Sequence, residues 1–214
     1  MLGEKLIGYT NYKFILFDME TEGLNTLFNR PFQIAWLFGD KYKEWGFQNR
    51  FPLWEDLSPS RGAAAVTKFN MTDYLRVAED RKKVFKDFIE VVMDEDYYLA
   101  GHNIIMFDSN LIVTFANQLG IKISFKDFQY RMIDTFALVR ALRIGIPYRP
   151  KDDKHLFSWQ MKVLNHPERP RGITLEALAK EFGFSENDDK FHDAEYDIQQ
   201  NAKILRELIK RNKI

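Results

Sequence analysis

The sequence predicts an α/β domain built on a five-stranded mixed sheet that is flanked by helices. Three short apolar runs stand close together near the start of the chain, and helical periodicity alternates with shorter apolar runs from residue 79 onward. Strands that follow one another closely usually pair as antiparallel neighbours, whereas strands joined through a helix pair in parallel. Strands first and then alternating helices and strands therefore favour a sheet that contains both kinds of pairing.

The first predicted strand is the continuous apolar run 14–17, which leads into Asp18. An unbroken apolar run of this length is typical of a strand that is buried on both faces. Four further short segments are predicted as strands. They span 32–38, 45–51, 97–100 and 131–133.

Helices are predicted where apolar residues recur at helical spacing with polar residues between them. Gly120 and Gly183 are predicted to end two of them, because glycine readily adopts the left-handed conformation found at helix ends. Thr174 and Asp134 are predicted to be N-caps, and Asp134 is expected to be a cap rather than a metal ligand. The predicted helices span 79–93, 108–119, 135–142, 175–182 and 194–211.

Length and composition favour one soluble domain that spans residues 1–214. Hydrophobic residues make up 45% and charged residues 29% of the chain, which is ordinary for a globular protein. The absence of cysteine excludes disulfides and cysteine-ligated zinc. No apolar run reaches the length of a signal peptide core or the roughly 20 residues of a membrane span, so we expect a cytoplasmic protein without membrane contact.

The formal net charge is zero, because 31 basic residues balance 31 acidic residues. This balance gives no bulk indication that the chain binds nucleic acid. It does not exclude such binding either, since an acidic metal site and a basic groove would cancel in the total.

The segment 145–172 is predicted to be an expanded connection with little regular periodicity. It contains four prolines, and a connection this long is unusual unless it is functional or partly disordered. Its basic side chains would guide substrate or dock a partner, or they would simply belong to a solvated loop. They are Arg149, Lys151, Lys154, Lys162, Arg169 and Arg171.

Acidic residues stand where several predicted strands and helices begin or end. Asp18 and Glu20 are two residues apart on an extended backbone, so their side chains project from the same face of the strand. Asp108 opens a predicted helix after the loop that begins with Gly-His-Asn. His192 precedes the last predicted helix, and Asp197 lies in its first turns.

Each of these signals is weak by itself. An Asp-x-Glu pair is also typical of a solvated strand end, and an aspartate at a helix start is also typical of an N-cap, which applies to Asp108 and to Asp193 beside His192. Four carboxylates cannot converge without compensation, however, because repulsion and desolvation are costly. Two Mg²⁺ or Mn²⁺ ions would neutralise them and would form the usual clamp for phosphoryl displacement.

Three segments resemble the exonuclease motifs of the DEDDh family. They are Phe-Asp-Met-Glu-Thr at 17–21, Gly-His-Asn followed by Phe-Asp at 101–108, and His-Asp-Ala-x-x-Asp at 192–197. The family includes the proofreading subunits of bacterial replicative polymerases and ribonuclease T. The resemblance implies a ribonuclease H-like fold and a metal-dependent 3′→5′ exonuclease that releases 5′-mononucleotides from single-stranded DNA or RNA.

The resemblance also implies a role for each matching residue. Asp18 would bridge both metal ions. Glu20 and Asp197 would complete one metal site, and Asp108 would support the other through water. His192 would be the general base that acts on the attacking water. Contacts to the terminal nucleotide would come from Thr21, Gly23, Leu24, Asn103 and Phe107, with Leu24 wedged against the last base.

One stretch departs from the family, because Lys68-Phe69-Asn70 stands where members often carry a histidine. Phe69 would stack on a base of the substrate or serve as a small hydrophobic plug.

There are three rival hypotheses. The first is a catalytically silent nucleic-acid-binding or partner-docking module on the same fold, and the second is a ribonuclease H-like endonuclease or nucleotidyl transferase. The third is a coincidental match of the motifs on an unrelated metal hydrolase. The intact carboxylates and His192 favour the exonuclease. The expected partners are 3′ ends of DNA or RNA, and a polymerase or another nucleic-acid-processing protein is a further candidate. The choice of sugar depends on contacts to the 2′-position, which the motifs do not specify.

Overall fold

The computed structural model describes residues 12–147, 151–184 and 191–212. In these ranges the chain forms a five-stranded sheet with the strand order β3-β2-β1-β4-β5. β2 pairs antiparallel with β1 and β3, and β4 pairs in parallel with β1 and β5, so the predicted mixed sheet is confirmed. The strands are β1 (Lys13–Thr21), β2 (Pro31–Asp40), β3 (Glu44–Arg50), β4 (Tyr98–Gly101) and β5 (Met132–Asp134). The prediction about a signal peptide falls on residues 1–11, outside the described ranges.

β1 is the central strand of the sheet because both of its faces are apolar. Ile15 and Phe17 belong to one hydrophobic core, and Phe14 and Leu16 belong to a second one. Successive side chains of a strand point to opposite faces, so the two cores lie on the two sides of the sheet. All four side chains are fully buried, which confirms the prediction of a strand covered on both faces.

The helices cover both faces of this sheet. The five predicted helices are present, with ends that differ from the predictions by one or two residues. The sequence pattern predicts neither α1 nor α2, because each has only seven residues and α1 buries none of its side chains. No described helix is long and apolar enough to cross a membrane. The helices are α1 (Arg61–Thr67), α2 (Met71–Val77), α3 (Arg81–Val92), α4 (Asp108–Gln118), α5 (Thr135–Arg143), α6 (Asp153–Leu164), α7 (Leu175–Glu181) and α8 (Ala194–Asn212).

The prediction of an irregular segment at 145–172 is wrong for its middle part, where α6 lies. Gln160 of α6 is fully buried and binds the outer edge of β5 through its side-chain amide. Its Oε1 accepts a hydrogen bond from the Asp134 N–H at 2.7 Å, and its Nε2 donates to the Met132 carbonyl at 2.9 Å. The amide thus satisfies backbone groups that a further strand would otherwise pair. Arg149 lies outside the described residues.

Candidate metal centre

The candidate site forms at the edge of the sheet where β1 and β4 end. The two strands are parallel neighbours, with Leu16 beside Ala100, so their carboxyl ends meet at this edge. Gly101 allows the ends of the two strands to approach closely, because a Cβ there would lie 2.1 Å from Ile104 Cγ2 and 2.9 Å from the carbonyl oxygen of Phe17. Glycine is therefore required where the chain leaves β4.

Three elements bring the predicted acidic residues to this edge. Asp18 and Glu20 lie near the end of β1 and are partly buried. Asp108 and Asp197 lie in the first turns of α4 and α8, and they are only 3% and 8% exposed. Asp108 is not the N-cap of α4, because Phe107 holds that position without a side-chain cap. The alternative explanation of Asp108 as a capping residue is therefore wrong.

His192 lies directly before α8, as predicted, and its backbone has the left-handed conformation with φ of 67°. This conformation is uncommon for residues other than glycine. The His192 N–H donates a hydrogen bond to Asp197 Oδ2 at 3.1 Å, which ties the loop to the helix. Asp193 fills the competing role of a cap, since its carboxylate accepts from the Glu195 N–H at 2.9 Å. His192 is an exposed residue, and desolvation of its ring lowers its pKa.

The four carboxyl groups act on one another electrostatically. Burial is the largest cause of the raised pKa in each of them, and the charge of Asp18 raises the pKa of Glu20, Asp108 and Asp197 further. None of the ion pairs between described residues includes any of the four. Within the described ranges, the cluster therefore has no cation from the chain to compensate it.

Two oxygens of the cluster are buried without a hydrogen-bond partner in the described part of the chain, Asp108 Oδ1 and Asp197 Oδ1. A buried polar atom left without a partner costs about 1–3 kcal/mol, and more when it is charged. Glu20, His192 and Asp197 each offer a ligand atom, and these atoms all lie within 4.8 Å of one another. Carboxylate oxygens are the ligands that Mg²⁺ and Mn²⁺ prefer, so the residues present fit a divalent-cation site.

Asp134, at the end of β5, organises the loop between β4 and α4. It is the N-cap of α5, as predicted, and its carboxylate accepts from the Phe136 N–H at 2.9 Å. The same carboxylate accepts from the N–H groups of Asn103 at 2.8 Å and Ile105 at 3.1 Å. Asn103 has a φ of 66°, which asparagine tolerates better than most residues. Burial raises the pKa of Asp134 to about 6.

The residues predicted to contact the terminal nucleotide lie at the end of β1 and on the two loops that leave this edge. Thr21 is buried, and its hydroxyl donates to the Gly23 carbonyl at 2.6 Å. Leu24 is 89% exposed on the loop after β1. Asn103 and the half-buried Phe107 lie on the loop after β4. The structure therefore brings these five residues to the edge that holds the carboxylates, while their contact with a nucleotide stays a prediction.

Phe69 lies between α1 and α2 and packs against other aromatic rings. Its ring centroid is 4.8 Å from that of Phe32 and 5.6 Å from that of Tyr74. This packing is the one expected for a hydrophobic plug. The same ring lines a cavity of about 280 Å³ together with Gln33 and Asn70, so the predicted stacking on a base stays a prediction.

The motifs assign no role to Glu22, which the structure places at the base of the loop after β1. Glu22 is 5% exposed, and its carboxylate binds the guanidinium of Arg30 through two hydrogen bonds of 2.8 Å. It also accepts from the Ser58 N–H at 2.7 Å. The only signal in the sequence is a pair of opposite charges that bracket the uncharged segment 23–29, and such pairs are too common to indicate a contact.

Comparison with known proteins shows similarity in structure but not in sequence. No protein-family model matches the chain, and no curated protein matches it. The structure of E. coli exonuclease I in complex with a dT13 oligonucleotide matches with a TM-score of 0.74 at 19% identity, over 94% of this chain and 42% of that one. The zinc-bound form of the E. coli exonuclease I complex with single-stranded DNA matches with a TM-score of 0.74 at 19% identity, over 94% and 41%.

A product-bound structure of exonuclease I also matches, with a TM-score of 0.69 at 18% identity, over 95% of this chain and 44% of that one. The chain thus spans less than half the length of the exonuclease I chains that it resembles. At this level of sequence identity, the structural similarity is evidence for a shared fold only. Together with the strand order, it shows that the chain has the ribonuclease H-like fold of exonuclease I, as predicted.

Proposed function

We propose that the chain is a metal-dependent 3′→5′ exonuclease domain that trims single-stranded nucleic acid. The observation that carries the proposal is the cluster of four carboxylates at one sheet edge, with two buried oxygens that have no partner among the described residues. A cluster of this kind needs positive charge from outside, and phosphodiester chemistry commonly uses divalent cations for it. Asp18, Glu20, Asp108 and Asp197 would hold these cations.

Divalent cations at this site would neutralise the carboxylates and stabilise the negative charge that develops on the phosphate. His192 would accept a proton from the attacking water at a ring nitrogen, because it is exposed beside Glu20 and Asp197. The oxygen of that water would form a bond to phosphorus as the bond between phosphorus and the 3′-oxygen of the preceding nucleotide breaks. The 3′-oxygen would take up a proton from solvent, and a 5′-mononucleotide would leave. The backbone of 21–24 would hold the terminal nucleotide, with Asn103 and Phe107 on the opposite loop.

The structural neighbours support a single-stranded substrate. E. coli exonuclease I has been crystallised with a dT13 oligonucleotide and, with bound zinc, in a complex with single-stranded DNA. These complexes concern a longer chain, of which the present chain spans 42% or less. We therefore propose that residues 1–214 form the part that carries the chemistry, with DNA and RNA both as candidate substrates.

The deciding experiment incubates the protein with 5′-labelled single-stranded DNA and with RNA of the same sequence, in Mg²⁺, Mn²⁺ or EDTA. We expect a ladder that shortens from the 3′ end and requires the metal. A circular single strand should stay intact, because an exonuclease needs a 3′ end. Cleavage of the circle would indicate an endonuclease, and no cleavage of any substrate would favour a binding module on the same fold.

A further inference from the structure

On the basis of the proposed function, we propose that the loop 23–29 after β1 is a base-binding surface. It would hold the nucleobases at the 3′ end of the strand through Leu24, Leu27 and Phe28, and would leave the phosphates to other parts of the protein. The resemblance already implies contacts from Gly23 and Leu24, so the new part of the proposal is the role of Leu27 and Phe28.

Three large apolar side chains on this loop face solvent. Leu24, Leu27 and Phe28 are 89%, 60% and 74% exposed, within a stretch of five residues. Large exposed apolar groups that lie this near one another along the chain are typical of binding surfaces in soluble proteins, because water solvates them poorly.

The loop holds these side chains in a fixed arrangement. The Asn25 carbonyl accepts from the N–H groups of Phe28 at 3.1 Å and Asn29 at 2.7 Å. In return, Asn29 Oδ1 accepts from the Asn25 N–H at 2.8 Å, and Asn25 Oδ1 accepts from the Leu27 N–H at 3.1 Å. Four hydrogen bonds within the loop define its shape, so the exposure of the apolar groups is a property of the folded loop.

The ends of the loop are clamped to the rest of the protein. Glu22 and Arg30 flank it and form the paired hydrogen bonds described above. Arg30 also binds Asp56 through an ion pair and through the Asp56 carbonyl at 2.8 Å. The Ser60 N–H donates to the Glu22 carbonyl at 2.7 Å. A preorganised surface loses less entropy on binding, which favours a binding role for this loop.

The charges of the loop indicate which part of a nucleic acid it would contact. Residues 23–29 include no charged side chain, and the cation at its end, Arg30, is engaged by Glu22 and Asp56. A loop that binds phosphates needs free cations or aligned backbone donors, whereas aromatic and aliphatic faces suit stacking on bases. The chemistry of the loop therefore fits nucleobases rather than the sugar-phosphate backbone.

The position of the loop also favours nucleobases as its ligand. It begins three residues after Glu20, at the edge of the sheet that holds the carboxylates. The loop after β4 leaves the same edge, and its Met106 is 47% exposed. A strand whose terminal phosphodiester reaches the carboxylates would therefore pass along the loop 23–29.

The test compares the native protein with Phe28→Ala and Tyr42→Ala on two single-stranded DNA substrates. The substrates differ only at the 3′-terminal nucleotides, which are thymidines in one and abasic in the other. Tyr42 is a matched control, because it is also 74% exposed but lies on the hairpin at the other end of the sheet. Phe28 is too exposed for its truncation to disturb the core.

We expect the native protein to cleave the thymidine substrate with a kcat/KM about 5- to 100-fold above that for the abasic one. Phe28→Ala should reduce this preference several-fold by lowering kcat/KM for the thymidine substrate alone, whereas Tyr42→Ala should change neither value. Equal losses on both substrates, or no loss, would overturn the proposal and would leave the surface to a protein partner.

A binding measurement separates this proposal from the proposed activity. Fluorescence anisotropy of the same two oligonucleotides in EDTA reports affinity without cleavage. If the native protein cleaves nothing but binds the thymidine strand more tightly, and Phe28→Ala removes that difference, the base-binding surface stands and the exonuclease proposal falls. Equal affinities for both strands would overturn the surface whether or not cleavage is seen.

Discussion

Glu20 and Glu22 stand two residues apart at the end of β1, and their carboxylates have opposite surroundings. Burial opposes the ionisation of Glu22, but hydrogen bonds from Arg30 and Ser58 outweigh it and lower the pKa of Glu22. The pKa of Glu20, in contrast, is raised by burial and raised further by the charges of Asp18 and the other acids. Glu22 has its counter-charge within the described chain, whereas Glu20 has further carboxylates and His192 near it and takes part in none of the described ion pairs.

Asp134 shows a third way to hold a buried carboxylate. None of the ion pairs between described residues includes it, but backbone N–H groups of Asn103, Ile105 and Phe136 donate to its two oxygens. Both structural acids are therefore compensated by groups of the described chain, Glu22 by an arginine and Asp134 by backbone N–H donors. The acids at the sheet edge have some backbone donors, but no described ion pair includes them, and one buried oxygen each of Asp108 and Asp197 has no hydrogen-bond partner among the described residues. Such incomplete compensation distinguishes a binding site from a structural one.

The largest effect is expected for Asp197→Asn, which removes one charge from the cluster. Cleavage should fall by about 10²-fold or more, the scale of losing a group that stabilises transition-state charge. Mn²⁺ should raise the melting temperature of the native protein through linkage and should raise that of the variant less. Asp96→Asn, at an exposed position, is the control for charge. Full activity together with an unchanged Mn²⁺ effect would place the metal elsewhere.

His192→Ala tests whether the histidine moves a proton or holds a metal. Loss of a general base should slow turnover by about 10²–10⁴-fold. The rise in melting temperature with Mn²⁺ should persist, because the carboxylates stay in place. A lost Mn²⁺ effect would make His192 a ligand, which its distance of at most 4.8 Å from Glu20 and Asp197 permits. An unchanged rate would remove it from the chemistry.

Asp134→Ala should destabilise the fold rather than act on metal binding. The variant loses the N-cap of α5 and leaves buried N–H groups without an acceptor, so we expect a loss of about 2–4 kcal/mol in the free energy of unfolding. Urea titration monitored by circular dichroism measures it. A loss below about 0.5 kcal/mol, within the range of ordinary surface substitutions, would contradict the structural role.

Glu22→Gln should cost about 1–3 kcal/mol, because Arg30 loses a charged partner and keeps only Asp56. The pKa of Glu22 is lowered in the folded state, so its contribution is present above the unfolded pKa of 4.5 and is lost as the pH falls below it. The native protein should therefore lose more stability than the variant between neutral pH and pH values below 4.5. Parallel pH profiles from thermal melts would contradict the ion pair.

Glu20→Gln should have the smallest effect on the free energy of unfolding, and it should increase it. In EDTA at neutral pH, the variant should be more stable by on the order of 1 kcal/mol, because it removes the cost of ionising Glu20 beside other carboxylates. The same substitution should weaken binding of Mn²⁺, which isothermal titration calorimetry measures. A destabilised variant in EDTA would mean that Glu20 has a structural partner after all.

Local pattern was enough to predict the five strands and five of the helices, which are α3, α4, α5, α7 and α8. The apolar run 14–17 predicts a strand covered on both faces, and Thr174 and Asp134 are the N-caps that their residue types indicate. Pattern was not enough for α6, because its most deeply buried polar residue, Gln160, breaks the apolar periodicity. The partner that makes Gln160 favourable, the edge of β5, is about 28 residues away in sequence.

The sequence by itself determined the order of the strands and of five helices and the identity of the acidic and histidine residues, because these follow from local periodicity and from motifs of a few residues. Only the tertiary structure decided which acids are compensated. Asp18, Asp108 and Asp197 come together because β1, α4 and α8 meet at one edge, while Glu22 finds Arg30 across a closed loop. Whether a buried charge is neutralised depends on contacts between distant segments, and no local pattern contains that information.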